Sequence, residues 1–339
     1  MNDFFRNMAV TCALAAVLVG CSGTQRNALL PSSAIAQGAI SQSECPLAQN
    51  VRSGKPQVIP LYEDEVVWKS CIHNGDRCEC GYAPGDKEPG VYRCESGTAV
   101  PLGIATGSNL LYGGFGNTIV VFNHARKVAL LKGLTGEPIG LAVDYRGNVW
   151  AGDSPSDTIS EFAKGATKPT ATYTDSNLTS VNYLAVDASG DVYVEGQAAY
   201  SIEVDVLPVG GATFTPISQR GKVGLTPGGL AVQSTGKTTY VWINDQGTPS
   251  SPAAISRYVL KGSALYLEGS FTYSGTNGAI WADPAGKNIN RIWAVNNVPY
   301  GSGFNSSAVE YAMPGGKVIR ATVPTNSSTE AVGIAGSFQ

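Results

Sequence analysis

A short apolar motif that recurs from residue 140 onward constrains the fold more than any other feature of the chain. Gly140-Leu-Ala-Val-Asp144 returns as Tyr183-Leu-Ala-Val-Asp187, as Gly229-Leu-Ala-Val-Gln233 and, more loosely, as Ala279-Ile-Trp-Ala-Asp283. A glycine follows each copy, and these glycines, at positions 147, 190, 236 and 286, are 43, 46 and 50 residues apart. A repeat of this length builds one supersecondary unit several times and buries its core between neighbouring units.

Each copy predicts a four-stranded antiparallel unit. The motif forms the first strand, and the Asp and Gly that follow suit a tight turn. An aromatic-rich second strand such as 149–151 comes next, then a polar third strand such as Thr158–Phe162 or Ser201–Leu207, then a fourth after a Gly-containing turn. Units of this kind at a period of roughly 40 to 50 residues are typical of β-propeller blades. We therefore predict an all-β fold, a β-propeller of four-stranded blades.

The two ends of the repeat region predict how the ring closes. A shorter first copy occupies residues 102–122, and Ala331-Val-Gly-Ile-Ala335 begins another copy just before the chain ends. Because a propeller closes on itself, we expect this last inner strand to share a blade with strands at 57–62 and 90–95. Five full copies and one shared copy predict six blades.

These motifs resemble the NHL-type propellers and the wider group that contains streptogramin lyases and gluconolactonase-like lactonases. The resemblance covers about residues 102–338 and is carried by the Gly-Leu-Ala-Val-Asp strand, the turn glycine and the Val-Trp/Tyr strand that follows. It implies the fold strongly and the function weakly, because the residues that match pack inner strands and form turns.

The catalytic residues that the resemblance would imply are absent from the matching positions. Streptogramin lyases use histidine for proton transfer, but the two histidines here, His73 and His124, lie in a cysteine cluster and at the end of an outer strand. The lactonase-like enzymes hold a divalent metal just before their inner strands, where this chain offers only Asn182 among four positions; the other three are Ile139, Gly228 and Gly278. We expect no catalytic residue and no required cofactor.

The N-terminus predicts export and lipid anchoring. Residues 1–20 have the charge and the short apolar run of a secretory signal peptide, too short to span a bilayer. Leu18-Val19-Gly20-Cys21 resembles a bacterial lipoprotein box, which implies acylation of Cys21; the alternative is a plain cleaved signal. Ser22 after the Cys resembles outer-membrane sorting, so we expect a protein of the bacterial cell envelope facing periplasm or exterior, with a flexible tether at 21–56.

A Cys-rich segment at 57–101 precedes the propeller at 102–339, and we expect it to contribute to the closing blade. Five further cysteines lie in this segment or just before it: Cys45, Cys71, Cys78, Cys80 and Cys94. In an exported chain they predict two disulfides and one unpaired thiol, with the pairing left open. The alternative is a zinc site formed by Cys71, His73, Cys78 and Cys80, but paired Cys-x2-Cys knuckles are missing.

The loops after the second strands are the predicted binding face. They are polar and include the predicted loops at 195–200 and 296–305. Together they supply the candidate ligand-binding residues Asp153, Asp157, Glu195, Tyr200, Asp245, Asn296 and Tyr300. Recognition residues concentrate on loops of rigid scaffolds, so we expect a non-enzymatic binding module with a protein or glycan partner here. Asp144, Asp187 and Asp283 are interpreted as turn formers, and Trp150, Tyr193, Trp242 and Trp293 as inter-blade core.

The sequence leaves two alternatives to a binding module. A lactonase- or lyase-like enzyme would need a divalent cation bound by Asp153, Glu195 and Asp245. A purely structural envelope protein would show no pocket. Nucleic acid is not an expected partner, because 14% of residues are charged and the net charge is −3 without a basic stripe. Contact with the membrane is expected through the lipid anchor alone.

Overall fold

A computed structural model describes residues 57–62, 65–66, 71–74, 77–80, 92–93, 101–107, 110–123, 126–154, 156–221, 224–248, 251–273, 279–282, 288–300, 303–321, 325–327 and 331–337. Every regular element within these ranges is a β-strand. No helix in this part of the chain is long and apolar enough to cross a membrane. The predicted signal peptide, the tether, Cys21, Cys45, Cys94 and His124 lie outside the described residues.

The strands that precede the repeats are short. They are β1 (Gln57–Tyr62), β2 (Glu65–Val66), β3 (Cys71–Asn74), β4 (Arg77–Cys80) and β5 (Tyr92–Arg93). Strands β3 and β4 form a hairpin whose register sets Cys71 opposite Cys80 and His73 opposite Cys78. The disulfide pairing and the alternative zinc site both stay predictions.

Four-stranded antiparallel sheets follow one another along the chain. Blade 1 contains β6 (Pro101–Gly107), β7 (Leu110–Phe115), β8 (Thr118–Asn123) and β9 (Arg126–Leu131). Blade 2 contains β10 (Glu137–Val143), β11 (Val149–Ser154), β12 (Thr158–Phe162) and β13 (Ala171–Thr174). Blade 3 contains β14 (Ser180–Val186), β15 (Val192–Ala198), β16 (Ser201–Leu207) and β17 (Thr215–Pro216).

The last two blades are larger. Strand β18 (Ser218–Arg220) joins blade 4 in parallel beside β22 (Ala264–Thr272), after β19 (Pro227–Thr235), β20 (Thr238–Asp245) and β21 (Ala254–Lys261). Blade 5 contains β23 (Ile280–Trp281), β24 (Arg291–Tyr300), β25 (Gly303–Ala312) and β26 (Lys317–Ala321), with β27 (Thr325–Ser327) also paired to β25. The chain continues to β28 (Ala331–Ser337).

The first strands of the blades form a closed ring. Strands β6, β10, β14, β19 and β23 contact one another in order, and β28 contacts both β23 and β6. Strand β28 pairs along its length with β1, from Gln57 opposite Ser337 to Tyr62 opposite Ala331. The β-propeller prediction is confirmed, and the predicted β1 joins the last strand.

The predicted number of six four-stranded blades is wrong for the described residues, which form five blades and a two-stranded β1–β28 sheet. Strand β5, predicted to complete that sheet, pairs with β2 instead. The repeat count could not reveal this, because the residues before 101 carry no copy of the motif and their pairing depends on tertiary contacts.

The motif glycine is explained by how closely inner strands approach. A β-carbon on Gly140 would lie 2.8 Å from the Asn182 carbonyl oxygen and 2.9 Å from the Leu184 amide nitrogen of blade 3. Backbone atoms cannot move aside as a flexible side chain can, so only glycine fits this position. Strand β10 also carries a bulge between Pro138 and Gly140, and the equivalent bulges in β14 and β19 lie at 181–183 and 227–229.

The recurrent aromatic residues are buried, and three of the four fill spaces between blades, as predicted. Their exposed fractions are 6% for Trp150, 1% for Tyr193, 0% for Trp242 and 6% for Trp293. Trp242 packs with Ile280, Ile292 and Ala294 of the next blade. Tyr193 and Trp150 lie in clusters shared by blades 3 and 4 and by blades 2 and 3, whereas the cluster of Trp293 lies within blade 5. Truncating a buried aromatic residue of this size typically costs about 3–5 kcal/mol, so this belt is a major source of stability.

The turn carboxylates also act as predicted. Asp144 Oδ1 accepts the amide hydrogens of Arg146 and Asn148, both at 2.9 Å, and Gly147 takes the left-handed conformation with φ of 87°. Asp187 Oδ1 accepts three amides of its own turn at 2.8–3.0 Å. Asp283 lies outside the described residues.

Candidate functional site

The second strands end at one face of the ring, where the inner strands begin. We call this the loop face; its described landmarks are Ser154, Ala198 and Asp245, which end β11, β15 and β20. The predicted binding residues lie at or just below this face, but most of them are not presented on open loops. Strand β15 runs through Glu195 to Ala198, and β24 runs through Asn296 to Tyr300.

Asp153 and Asp245 occupy the same position in their blades and do the same work. Asp153 lies opposite Pro138 and Asp245 opposite Pro227, each beside the bulge of its inner strand. Asp153 Oδ2 accepts hydrogen bonds from the Thr135 amide at 2.8 Å and the Thr135 hydroxyl at 2.9 Å. Asp153 is only 1% exposed, so its carboxylate fixes the loop between blades 1 and 2 from the inside.

Asp245 fixes the equivalent loop between blades 3 and 4. Its Oδ1 accepts the amides of Thr226 at 3.2 Å and Gly247 at 3.0 Å, and its Oδ2 accepts the Leu225 amide at 3.3 Å. The side chain is 8% exposed. Both aspartates therefore hold backbone amides that no strand satisfies, and they make the loop face rigid.

Glu195 is the most unusual group near this face. It is 0% exposed, lies opposite Tyr183 in the sheet, and neither carboxylate oxygen has a hydrogen bond of good geometry. Burial raises the pKa of Glu195 well above its usual range; the backbone amides of Gly229 and Gly228 oppose this shift and the charge of Asp245 adds to it. Burial of this kind favours the protonated form of a carboxyl group over its charged form.

Two tyrosines share this polar region. Burial raises the pKa of Tyr183, and the charge of Glu195 raises it further. Tyr273 donates its hydroxyl hydrogen to Asn244 Oδ1 at 3.0 Å. The hydroxyl and carboxyl groups of this region can position a polar ligand, but among the described residues no set of three metal-ligating side chains gathers here.

The cation site of the enzymatic alternative is not assembled. Asp153, Glu195 and Asp245 come from three different blades, and within the described ranges no three His, Cys, Asp or Glu side chains are close enough to hold a metal ion. Asp153 and Asp245 already bind loop amides, so the triad named from the sequence does not converge.

The remaining predicted residues differ in exposure. Tyr200 is 75% exposed in a turn where Ala199 has φ of 53°. Asp157 is partly buried with φ of 50°, and Asn296 is partly buried at the position equivalent to Asp153. The backbone of Tyr300 ends β24, and its side chain lies outside the described part. As a ligand-binding set, the seven residues stay a prediction.

A buried acid pair lies between blades 2 and 3, and sequence reasoning missed it. Asp175 is 1% exposed, Asp205 is 0% exposed, and Asn177 Nδ2 donates to Asp205 Oδ2 at 2.8 Å. Burial raises the pKa of Asp205 to about 7; the hydrogen bond from Asn177 opposes this, and the charge of Asp175 adds to it. The alternating pattern of β16 suggests a solvent-exposed Asp205, so the sequence contains no signal for this pair.

Comparison with known proteins supports the fold. No protein-family model matches the chain, and no curated protein matches it. A chain in the crystal structure of a nidogen/laminin complex is 14% identical with a TM-score of 0.54, over 83% of this chain and 99% of that chain. A chain in the crystal structure of the mitotic checkpoint complex is also 14% identical, with a TM-score of 0.44 over 60% of this chain and 64% of that chain. The likeness to the first structure shows a shared β-propeller fold.

Proposed function

We propose that this β-propeller is a non-enzymatic binding module whose loop face docks a protein partner. The observation that carries the proposal is a pair of exposed apolar side chains at the rim between blades 3 and 4. Tyr200 is 75% exposed and Leu225 is 49% exposed. Large side chains of this kind, exposed together, are typical of protein interaction sites, and tyrosine is enriched at their energetic centres.

The backbone that carries the pair is held in place by hydrogen bonds. The Ile202 amide donates to the Gly224 carbonyl at 3.0 Å, which ties the Tyr200 turn to the loop that carries Leu225. The Leu225 amide is bound by the buried Asp245 carboxylate, and Gln197 donates to the Leu225 carbonyl at 3.5 Å. A rigid apolar pair loses little conformational entropy on binding, which favours affinity for a partner.

The finer parts of the proposal come from the sequence. We propose acylation of Cys21, a tether at 21–56 and a place in the bacterial cell envelope, in the outer membrane, with the propeller facing periplasm or exterior. We also propose that the exported protein is an NHL-like propeller and that its cysteines form disulfides. The similar propeller of the nidogen/laminin structure was crystallised in a complex with a protein, which supports a protein over a glycan as the partner here.

Site-specific photo-crosslinking tests the proposal. A photo-reactive phenylalanine analogue placed at Tyr200 in cells is expected to give a discrete protein adduct, identified by mass spectrometry. The same analogue at Tyr266, which is 42% exposed on the outer strand β22, is the matched control. Purified partner should then bind a Leu225→Asp variant at least about tenfold more weakly, since burying an unpaired charge at an interface is costly.

Two results would contradict the proposal. One is an adduct pattern at Tyr200 that equals the pattern at Tyr266. The other is turnover of a lactone or cyclic ester by purified protein that stops when Glu195 is changed to Gln.

A further inference from the structure

A cavity opens between blades 2 and 3 on the face opposite the loop face, where the turns after the inner strands lie. Its volume is about 200 Å³. Its wall contains the turn of blade 2 at 144–148, the turn residue Gly190 of blade 3, and the outer turn at 208–211. This cavity takes no part in the proposed loop-face interaction, so it raises a separate question about what it binds.

Blade 4 shows what fills the equivalent space at its own border with blade 5. Arg257 pairs with Trp242 across β20 and β21, and its guanidinium carbon lies 5.4 Å from the centre of the Trp242 ring. Arg257 Nη1 donates to the Ile289 carbonyl at 2.7 Å and to Asn290 Oδ1 at 2.6 Å in the turn of blade 5. Glu268 completes the site with an ion pair at 3.0 Å.

The register identifies the matching position in blade 2. Trp150 pairs with Glu161 as Trp242 pairs with Arg257, and Trp150 Nε1 donates to Asp144 Oδ2 as Trp242 Nε1 donates to Gln233 Oε1. Blade 2 therefore has the Trp150 indole in place of that of Trp242, and the Glu161 carboxylate in place of the Arg257 guanidinium. The space that Arg257 fills in blade 4 corresponds to the cavity here.

We propose that this cavity binds a guanidinium group, an arginine side chain supplied by a protein partner. Its aromatic wall is formed by Trp150 and Tyr173, whose ring centres are 5.6 Å apart. Glu161 and Asp144 line the same cavity. Aromatic faces attract cations, and carboxylates match the planar donors of guanidinium.

The Glu161 carboxylate retains capacity for such a ligand, whereas Asp144 already accepts three hydrogen bonds. Glu161 accepts one hydrogen bond on each oxygen, from Asn148 Nδ2 at 3.1 Å and from the Tyr173 hydroxyl at 3.3 Å. An ionised carboxylate has about four acceptor positions, so roughly two remain for a ligand. These contacts also hold the Glu161 side chain in one orientation, which reduces the entropy lost on binding.

The size and the rim fit the same ligand. A cavity of about 150 Å³ holds one benzene molecule, so the present volume admits the smaller planar guanidinium with the end of its aliphatic stem. Tyr145, 62% exposed, forms one edge, because its ring lies where a β-carbon on Gly190 would meet it at 2.9 Å. Arg146 also lies at the rim, where its Nε donates to the Tyr145 hydroxyl at 2.8 Å, and its positive charge weakens the attraction for a cation.

Charge decides between arginine and a neutral sugar, the other ligand that aromatic and carboxylate groups commonly bind. N-acetyl-arginine amide and its neutral isostere N-acetyl-citrulline amide would be titrated into purified protein at low salt, with binding followed by NMR. The arginine compound is expected to bind at least about tenfold more tightly, since charge-assisted hydrogen bonds are roughly twice as strong as neutral ones. Equal binding of the two, tighter binding of methyl glucoside, or no binding of the arginine compound would overturn the proposal.

Variants complete the test. Glu161→Gln should weaken arginine binding about tenfold, and Glu137→Gln, at an exposed glutamate on the loop side of blade 2, should leave it unchanged. Tyr145→Ala should weaken binding several-fold and, because Tyr145 is exposed, should not disturb folding, so it serves if Glu161→Gln is unstable. If neither Glu161→Gln nor Tyr145→Ala changes the affinity for arginine, the ligand binds at another site. Failure of this site would leave the Tyr200 crosslinking result untouched.

Discussion

Arg257 places its guanidinium over Trp242, with 5.4 Å between the guanidinium carbon and the ring centre, in the border between blades 4 and 5. The side chain of Arg257 is 14% exposed, and its partner Glu268 is 33% exposed. A cation, an aromatic ring, a carboxylate and the turn of the next blade thus meet at one point. This contact links two blades through polar groups, beside the hydrogen bond from Gln233 Nε2 to the Asn288 carbonyl at 3.4 Å.

Arg257→Met is expected to destabilise the protein by about 2 kcal/mol, below the 3–5 kcal/mol of a fully buried pair because Glu268 keeps partial contact with water. Methionine retains the stem but loses the ion pair and the bonds to blade 5. Denaturant unfolding measures the change. Arg220→Met, at an exposed position in β18, is the control and should change stability by less than about 0.5 kcal/mol. Equal effects of the two substitutions would show that the contact with Trp242 adds nothing.

The acid pair predicts a pH dependence. Burial raises the pKa of Asp205 to about 7 in the folded protein, so this group binds a proton that the unfolded chain releases near pH 4. Its contribution to stability is therefore full below about pH 4, falls as pH rises toward about 7 and is absent above it. Asp205→Asn should remove this part of the slope and be more stable than the parent protein at pH 8, in thermal unfolding from pH 4 to 8.

A matched variant isolates that effect. Glu203→Gln removes a neighbouring carboxylate that is only partly buried, and it should retain most of the slope. If Asp205→Asn and the parent protein lose stability in parallel across this range, the proton does not reside on the Asp175–Asp205 pair.

Gly140 should not tolerate a side chain. An alanine β-carbon there would lie 2.8–2.9 Å from backbone atoms of Asn182, Tyr183 and Leu184. Overpacking of this kind costs about 1–3 kcal/mol, so Gly140→Ala should lower stability by that amount in urea unfolding. Gly236→Asn is the control. A β-carbon added at Gly236 would have no atom within 4 Å, and asparagine tolerates its φ of 58°. A Gly140→Ala protein as stable as this control would rule out the close approach of β10 and β14.

Asp153 should determine the local stability of the loop at Thr135. Asp153→Ala removes acceptors for the Thr135 amide and hydroxyl and should cost about 1–3 kcal/mol. Hydrogen exchange should report it directly, with a faster rate at the Thr135 amide. Asp153→Asn keeps one oxygen acceptor and should give an intermediate rate. Unchanged exchange in Asp153→Ala would mean that the loop is held by other contacts.

Local features of the fold could be predicted because each depends on residues that are near one another in sequence. Thr158–Phe162 and Ser201–Leu207 are strands with the predicted bounds. The Asp144 and Asp187 turns close on their own amides. The predicted loops at 195–200 and 296–305 are shorter than expected, because the strand pairs extend into them.

The candidate site was harder to predict, because burial in this fold does not follow alternation along a strand. Asp153 and Glu195 were expected on exposed loops, and Asp205 occupies a polar position of an alternating strand, yet all three are almost fully buried. In an isolated sheet one face is wet, but a blade is covered on both faces by its neighbours, so both sets of side chains enter an interior.

The amino-acid sequence by itself determined the repeating blade, its turns and the aromatic belt, since periodicity and turn chemistry are local properties. Only the tertiary structure decided that β5 pairs with β2 instead of completing the β1–β28 sheet, which carboxylates lose contact with water, and where one blade leaves open the space that another fills with Arg257. These outcomes depend on surfaces that meet between blades, and the residues that form them are separated by tens to hundreds of positions along the chain.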